Sequence, residues 1–218
     1  MRRGLVSDVL ATEAANSRFA DLLAGAPVHL ITDKAAKALS ETVTPVGLFA
    51  VCTLPETRLA DVLGAEPRLV LVAVDTSEPG NAGTLIRIAD ALGADAVVLA
   101  GDGVDPYNGK CLRASAGSIF ALPVLEEPDV NALVTALRRA GLAILATTLD
   151  GEVSLDDADL KGPTAWFFGS EAHGLSGEVA ALADTRVRIP MSGSAESLNI
   201  AAAAAICLYQ SASRFEGS

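Results

Sequence analysis

Apolar residues along this chain fall into short continuous runs separated by amphipathic stretches, as in strands buried on both faces with helices packed over them. Residues 68–74, Arg-Leu-Val-Leu-Val-Ala-Val, are the clearest run, closed by Asp75-Thr76-Ser77-Glu78-Pro79-Gly80. The pattern then predicts a helix over Ala82–Leu92, a strand over Ala96–Leu99 and a Gly/Asp loop over 101–109. Helical spacing recurs near Lys110–Ala116 and Val130–Ala140, and strands at Ala143–Thr147, Ala165–Phe168 and Arg186–Ile189. An alanine-rich helix over roughly Leu198–Ser211 follows; it is almost free of charge and is expected to be buried on most sides. Upstream, strands are predicted at Leu5–Ala11, Val28–Thr32 and Gly47–Cys52, with helices near Glu13–Leu23 and Lys34–Leu39. Leu54–Pro67, broken by Pro55, Gly64 and Pro67, reads as a linker with at most one short helix.

Strand–helix alternation of this kind predicts an α/β fold whose parallel sheet is flanked by helices, preceded by a small α/β unit. The boundary is placed in the linker, giving residues 1–67 and 68–218. A first unit of about 55 residues before the linker is small for an independent fold and is expected either to lean on the second or to lack its beginning. The chain of 218 residues suffices for one sizeable core, built mainly from Ala, Val, Leu and Ile because aromatic residues are only 4% of it. Met1-Arg2-Arg3 leads into Asp8 and Glu13 instead of an apolar run, and no stretch approaches membrane-spanning length, so a cytoplasmic protein without a leader is expected. Cys52, Cys111 and Cys207 are widely spaced and odd in number, which predicts reduced thiols and neither a disulfide framework nor a metal site.

The net charge of −11 opposes extensive nucleic-acid contact by unaided electrostatics. It is uneven: residues 1–68 carry seven basic and eight acidic side chains, residues 69–218 nine and nineteen. Glu126, Glu127 and Asp129, and the run Asp150, Glu152, Asp156, Asp157 and Asp159, read as solvated loops and helix N-terminal positions. Arg2, Arg3, Arg18, Lys34, Lys37, Lys110, Arg113, Arg138 and Arg139 either form a basic face or lie scattered.

In such sheets ligands bind beyond the carboxyl ends of the strands, where the loops 75–83, 147–151, 169–177 and 190–197 all fall. In Pro79-Gly80-Asn81-Ala82-Gly83-Thr84-Leu85-Ile86-Arg87, Asn81 reads as a helix cap, Gly83 as a point of close backbone approach and Arg87 as a ligand contact or a plain surface arginine. Neither a dinucleotide fingerprint nor a P-loop matches this spacing. Gly169-Ser170-Glu171-Ala172-His173-Gly174-Leu175 follows a buried strand; Glu171 either stabilises a helix start or orients a substrate, and a lone loop His173 is more often incidental than a base. This is not a hydrolase elbow. Ile189-Pro190-Met191-Ser192-Gly193-Ser194-Ala195-Glu196-Ser197-Leu198-Asn199-Ile200 carries a polar, glycine-containing loop into a buried helix, with Ser197 positioned to cap it and Asn199 in its first turn.

Taken in order, Asn81-x-Gly83-x-x-x-Arg87, Gly169-x-Glu171-x-x-Gly174-Leu175 and Ile189-Pro190-Met191 with Ser197-Leu198-Asn199-Ile200 resemble the three motifs of the SpoU family of RNA 2′-O-ribose methyltransferases, in the SPOUT superfamily. The resemblance spans about residues 69–212, and Arg113-Ala114-Ser115-Ala116-Gly117 adds to it. Residues 28–51 are similar to the back half of the substrate-binding domain that many members carry, among them thiostrepton-resistance-type rRNA methyltransferases. The resemblance implies a C-terminal trefoil knot, a homodimer, S-adenosylmethionine as cofactor and rRNA or tRNA as substrate, with no metal and no membrane partner. It assigns Asn81, Arg87, Glu171, Ser197 and Asn199 to catalysis, and Thr147, Gly169, Ile189, Met191 and Leu198 to the cofactor.

An arginine stays protonated under essentially all conditions, so Arg87 is expected to grip a phosphate or stabilise a developing alkoxide and not to act as base. Asn81 and Ser197 would orient the hydroxyl, and Glu171 would position Asn81 or its loop. A non-catalytic RNA- or protein-binding module that retains the fold is the alternative; a nucleotide-linked oxidoreductase is disfavoured by the missing fingerprint.

Overall fold

The computed structural model describes residues 4–215, so Arg2 and Arg3 lie outside the described residues. The chain divides into two compact units, one ending at Glu56 and the other beginning at Thr57. In the first, β1 (Val6–Ala11), α1 (Glu13–Arg18), α2 (Ala20–Leu23), β2 (Val28–Leu30), α3 (Asp33–Leu39) and β3 (Leu48–Cys52) follow one another. The sheet order is β2-β1-β3, with β2 parallel and β3 antiparallel to β1. The helix predicted over Glu13–Leu23 breaks at Phe19, whose φ/ψ of −111°/22° leaves the helical region. Thr12 and Thr32 cap α1 and α3, each hydroxyl accepting a backbone N–H at 3.2 Å.

The second unit runs α4 (Leu59–Gly64), β4 (Leu69–Val74), α5 (Pro79–Ala91), β5 (Ala96–Ala100), α6 (Gly109–Ser115), β6 (Val124–Glu127), α7 (Val130–Arg139), β7 (Ala143–Thr147), β8 (Val153–Ser154), β9 (Thr164–Phe168), α8 (Gly177–Ala180), β10 (Thr185–Arg188) and α9 (Ile200–Phe215). Seven strands form one sheet in the order β6-β5-β4-β9-β7-β10-β8, and every pairing is parallel. All six residues of β4 are buried, which explains its unbroken apolar run. Leu69, Leu71 and Ala73 pack with Leu85, Ile86, Cys111, Ala204 and Leu208 on one face; Val70, Val72 and Val74 pack with Val62, Leu133, Val134 and Leu137 on the other. Val62 makes α4 part of the large unit's core.

Three local readings change. Glu126 and Glu127, read as loop or helix-start residues, lie in β6, paired with Leu99 and Ala100 of β5. β6 is an edge strand, where carboxylates remain solvated and discourage edge pairing. The two-residue β8 and four-residue α8 are too short to leave a periodic signal. α9 is not buried on most sides: Ile200, Ala204, Cys207, Leu208 and Ser211 face the core, whereas Ala202, Ile206 and Tyr209 are exposed, Tyr209 by 64%.

The inner face of α9 is tied to the sheet by the single tryptophan. The Trp166 indole N–H donates to Ser211 Oγ at 2.8 Å with both residues fully buried, and its ring stacks near Phe168 at 6.2 Å. No helix among the described residues is long and apolar enough to cross a membrane. Burial pushes the Cys207 thiol from 9.0 up to about 12, and burial followed by the charge of Asp105 pushes Cys111 up to about 11. Because an unfolded thiol ionises first as pH rises past 9.0, both groups favour the folded state below that value and progressively lose this effect above it. Iodoacetamide at pH 8 is expected to label half-buried Cys52 in the native protein and all three cysteines only after denaturation, as read by intact mass.

Candidate functional site

Strand order brings the flagged loops together. β4, β9, β7 and β10 are consecutive and parallel, so their carboxyl ends form one rim. From it emerge the segments 75–78, 169–176, 148–152 and 189–199. At the end of β4 the chain turns through Asp75, a non-glycine residue at φ 51°. Its carboxylate accepts the Asp102 N–H at 3.0 Å, and a Cβ on Gly101 would fall 2.3 Å from that oxygen. Thr76 follows, fully buried, its hydroxyl without a hydrogen-bond partner among the described residues.

α5 begins with Glu78 as cap and Pro79 at the first helical position; Glu78 accepts the Gly80 N–H at 3.4 Å and pairs with Lys110 of α6. The Lys110 ammonium holds the Glu78 carboxyl below the ordinary glutamate range, with the Gly80 N–H adding to the effect. Asn81 therefore does not cap the helix. It lies in the first turn, and its side-chain amide donates to Glu171 Oε1 from the loop after β9. The ordering effect expected of Glu171 thus has a direct contact behind it. Gly83 allows close approach of a helix and not of a ligand: a Cβ there would meet Cys111 O at 2.3 Å and Ser115 N at 2.9 Å. Arg87 is exposed, and none of the described residues bonds to its guanidinium.

The loop after β9 closes on itself. Gly174 N–H donates to Ser170 O at 2.8 Å, and a Cβ on Gly169 would lie 2.0 Å from the Gly174 carbonyl carbon. Glu171, Ala172 and His173 are exposed at its tip. At the end of β7, Thr147 donates its hydroxyl to Phe167 O at 3.2 Å. The next hydroxyl, Thr148 Oγ1, is buried and has no hydrogen-bond partner among the described residues. Beyond β10, Ile189 packs partly against the core, while Met191 and Leu198 each expose 38% within an otherwise small and polar loop. The cap of α9 is Asn199, whose Oδ1 accepts the Ala201 N–H at 2.9 Å and whose carbonyl accepts the Ala203 N–H at 3.0 Å. Ser197, expected as that cap, is exposed and clear of it.

The structure thus joins Asn81 to Glu171, sets Thr147, Gly169 and Ile189 at neighbouring strand ends and places Met191 and Leu198 in the loop between β10 and α9, while no hydrogen bond joins the Arg87 or Ser197 side chain to another described residue. An adenosine–sulfonium group suits these residues: apolar Met191 and Leu198 for its apolar parts, and the Thr148 hydroxyl, which is unsatisfied among the described residues. The pairing of Glu78 with Lys110 is not foreseen from the sequence. Glu78 before Pro79 was a legible helix-start signal, but a partner 32 residues away leaves no local trace. Of the basic residues weighed as a face, Lys110 and Arg138 are paired with Glu78 and Asp184. No group of three potential metal ligands occurs among the described residues.

Residues 68–209 match the model of the SpoU rRNA Methylase family. The chain is 35% identical over 206 residues to the 23S rRNA (guanosine(2553)-2′-O)-methyltransferase RlmP of Bacillus subtilis, covering 94% of this chain and 80% of the relative. It is 39% identical over 171 residues to a 23S rRNA (uridine(2479)-2′-O)-methyltransferase of Streptomyces viridochromogenes, covering 76% and 60% respectively. The crystal structure of the SpoU methyltransferase AviRb from Streptomyces viridochromogenes, in complex with AdoMet, superposes with a TM-score of 0.86 at 32% identity, covering 99% of this chain and 85% of that one.

Because an added methyl at Gly169 cannot avoid the Gly174 backbone, Gly169→Ala is expected to force the 169–175 loop open and destabilise the protein by about 1–3 kcal/mol. A urea denaturation midpoint unchanged from wild type would contradict this packing.

Proposed function

The chain belongs to the SpoU rRNA Methylase family, and we propose that it transfers the methyl group of S-adenosylmethionine to a ribose 2′-hydroxyl of ribosomal RNA. The observation that carries this reading is the shared rim of four strand ends, where the Asn81–Glu171 bond and the exposed Arg87 accompany a loop set suited to the cofactor. Ribosomal RNA is favoured as the target because both relatives compared above act on 23S rRNA. The working compartment is then the cytoplasm.

S-adenosylmethionine, when bound, supplies an electrophilic sulfonium methyl. Gly169, Ile189, Met191 and Leu198, with Thr147 and Thr148 at the end of β7, are the residues that hold it. The chain's remaining task is to deliver a ribose oxygen in line and to ease loss of its proton. Arg87 keeps its charge and meets the target phosphate or the developing alkoxide with a planar fork of donors. Asn81 and Ser197 orient the hydroxyl. Glu171 holds the Asn81 amide in one rotamer, and Asn199 sets where α9 begins and hence where Ser197 stands. The unit ending at Glu56, with Lys34 and Lys37 exposed on α3, serves as the RNA-holding domain.

Two further features belong to this reading. A C-terminal trefoil knot is supported by the insertion of β9 between β4 and β7 and by the passage of residues 148–152 across β10. A homodimer formed through α9 is supported by the exposed stripe of Ala202, Ile206 and Tyr209, spaced along one helix face.

The enzyme is tested by incubating deproteinised ribosomal RNA with the protein and S-adenosylmethionine and mapping 2′-O-methyl positions. A discrete site is expected with wild type and none with Arg87→Ala. Arg87→Lys, with cofactor saturating, is expected to slow single-turnover methylation at least about tenfold, since one ammonium cannot replace the fork. Methylation confined to tRNA would move the substrate class, and a folded chain that does not bind S-adenosylmethionine in calorimetry would leave a non-catalytic binding module. For assembly, Tyr209→Arg is expected to reduce the mass measured by light scattering from two chains to one.

A further inference from the structure

The connection from β7 to β8 crosses a strand in an unusually short span. Thr147 of β7 and Val153 of β8 both stand opposite Val187 of β10, one on each side. Residues 148–152 therefore carry the chain from one side of β10 to the other, where a parallel crossover ordinarily takes a dozen residues or more. The crossing is made backbone on backbone. Gly151 is buried, and a Cβ there would lie 2.6 Å from both Arg188 N and Val187 C.

β10 grips the crossing with both of its arginines. Arg188 Nη1 donates to Gly151 O at 2.9 Å and to Glu152 O at 3.3 Å. Arg186 donates its backbone N–H to Glu152 Oε1 at 3.1 Å and Nε to Glu152 Oε2 at 2.9 Å, and reaches Asp150 at 3.6 Å. Val187 O accepts the Thr148 N–H at 3.0 Å. The Arg186 backbone N–H holds the Glu152 carboxyl below the ordinary glutamate range, so that side of the clasp keeps its charge in mild acid. These bonds converge on the five residues that follow Thr147, and Arg188 is the last residue before Ile189-Pro190-Met191. Two cofactor loops thus share one fastening.

We infer that Arg188 is a positioning residue for the cofactor site: by holding the Gly151 and Glu152 carbonyls it fixes the 148–152 crossing against the start of the 189–199 loop, so that both present a preformed face. The inference rests on the S-adenosylmethionine reading above. An arginine suits the role because one planar guanidinium reaches two successive carbonyls while keeping its charge at any physiological pH. The fastening belongs to the free protein and acts before any ligand arrives. Its loss costs affinity by leaving the loop to be ordered at the moment of binding.

The test compares wild type, Arg188→Ala and Arg188→Lys in two assays. In hydrogen exchange on the unliganded protein, peptides covering residues 148–154 are expected to exchange faster in Arg188→Ala, with little change in the β4 and β5 peptides. In calorimetry, S-adenosylmethionine is expected to bind Arg188→Ala about tenfold more weakly, the scale of one charge-assisted hydrogen bond. Arg188→Lys, which keeps one charged donor and spares the fold, is expected to fall between. KM for S-adenosylmethionine rises in the same order, with a smaller effect on kcat. Unchanged exchange at 148–154, or unchanged affinity beside a wild type that binds, would overturn the role of Arg188 alone. A wild type that does not bind would overturn the cofactor reading itself, and the exchange assay still reports whether the fastening exists.

Discussion

The constraint on which everything else depends is the insertion of β9 between β4 and β7. Parallel pairing on both sides of β9 aligns the carboxyl ends of β4, β9, β7 and β10 along one edge, and each of the three motif-bearing loops leaves from one of them. Chain order alone would scatter these loops over more than a hundred residues. The registers that pair Leu71 with Trp166 and Leu145 with Trp166 bring Asn81 within hydrogen-bond reach of Glu171, 90 residues later. Burial of Trp166, Phe167 and Phe168 on both faces is the hydrophobic driving force that keeps β9 in place.

Around that frame the glycines divide the work by geometry. Gly83 lets α6 close on α5, Gly169 lets its loop fold onto itself, and Gly151 lets one stretch of backbone cross another. None of the three needs a positive φ; each is a place where a methyl group would collide with main chain. This is a packing use of glycine, and it ties the shape of the site to close backbone contacts that flexible side chains cannot relieve.

Much of the fold was legible because β4, β5, β7 and β9 are continuous apolar runs flanked by turn residues, and α7 carries strong helical spacing. The misses have specific causes. β6 hid because an edge strand tolerates Glu126 and Glu127, and α9 was read as buried because alanine looks alike whether it packs or merely lacks charge. At the site, the motifs located the loops, but capping was assigned to the wrong partners. Asn81 and Ser197 are good caps by residue type, yet Glu78 with Pro79 and Asn199 hold those positions, which leaves the Asn81 amide to Glu171 and Ser197 exposed. The Glu78–Lys110 and Arg188–Gly151 contacts could not be read at all, since each joins residues distant in sequence through strand order.

The bond between Trp166 and Ser211 has a consequence for how the molecule can be watched. The chain holds one tryptophan, and its indole is enclosed where the middle of the sheet meets the C-terminal helix. Its emission therefore reports on the core between sheet and helices, including the seating of this helix on strands laid down earlier in the sequence. That gives the protein an internal optical marker for the packing of this core, separable from the formation of secondary structure seen by circular dichroism.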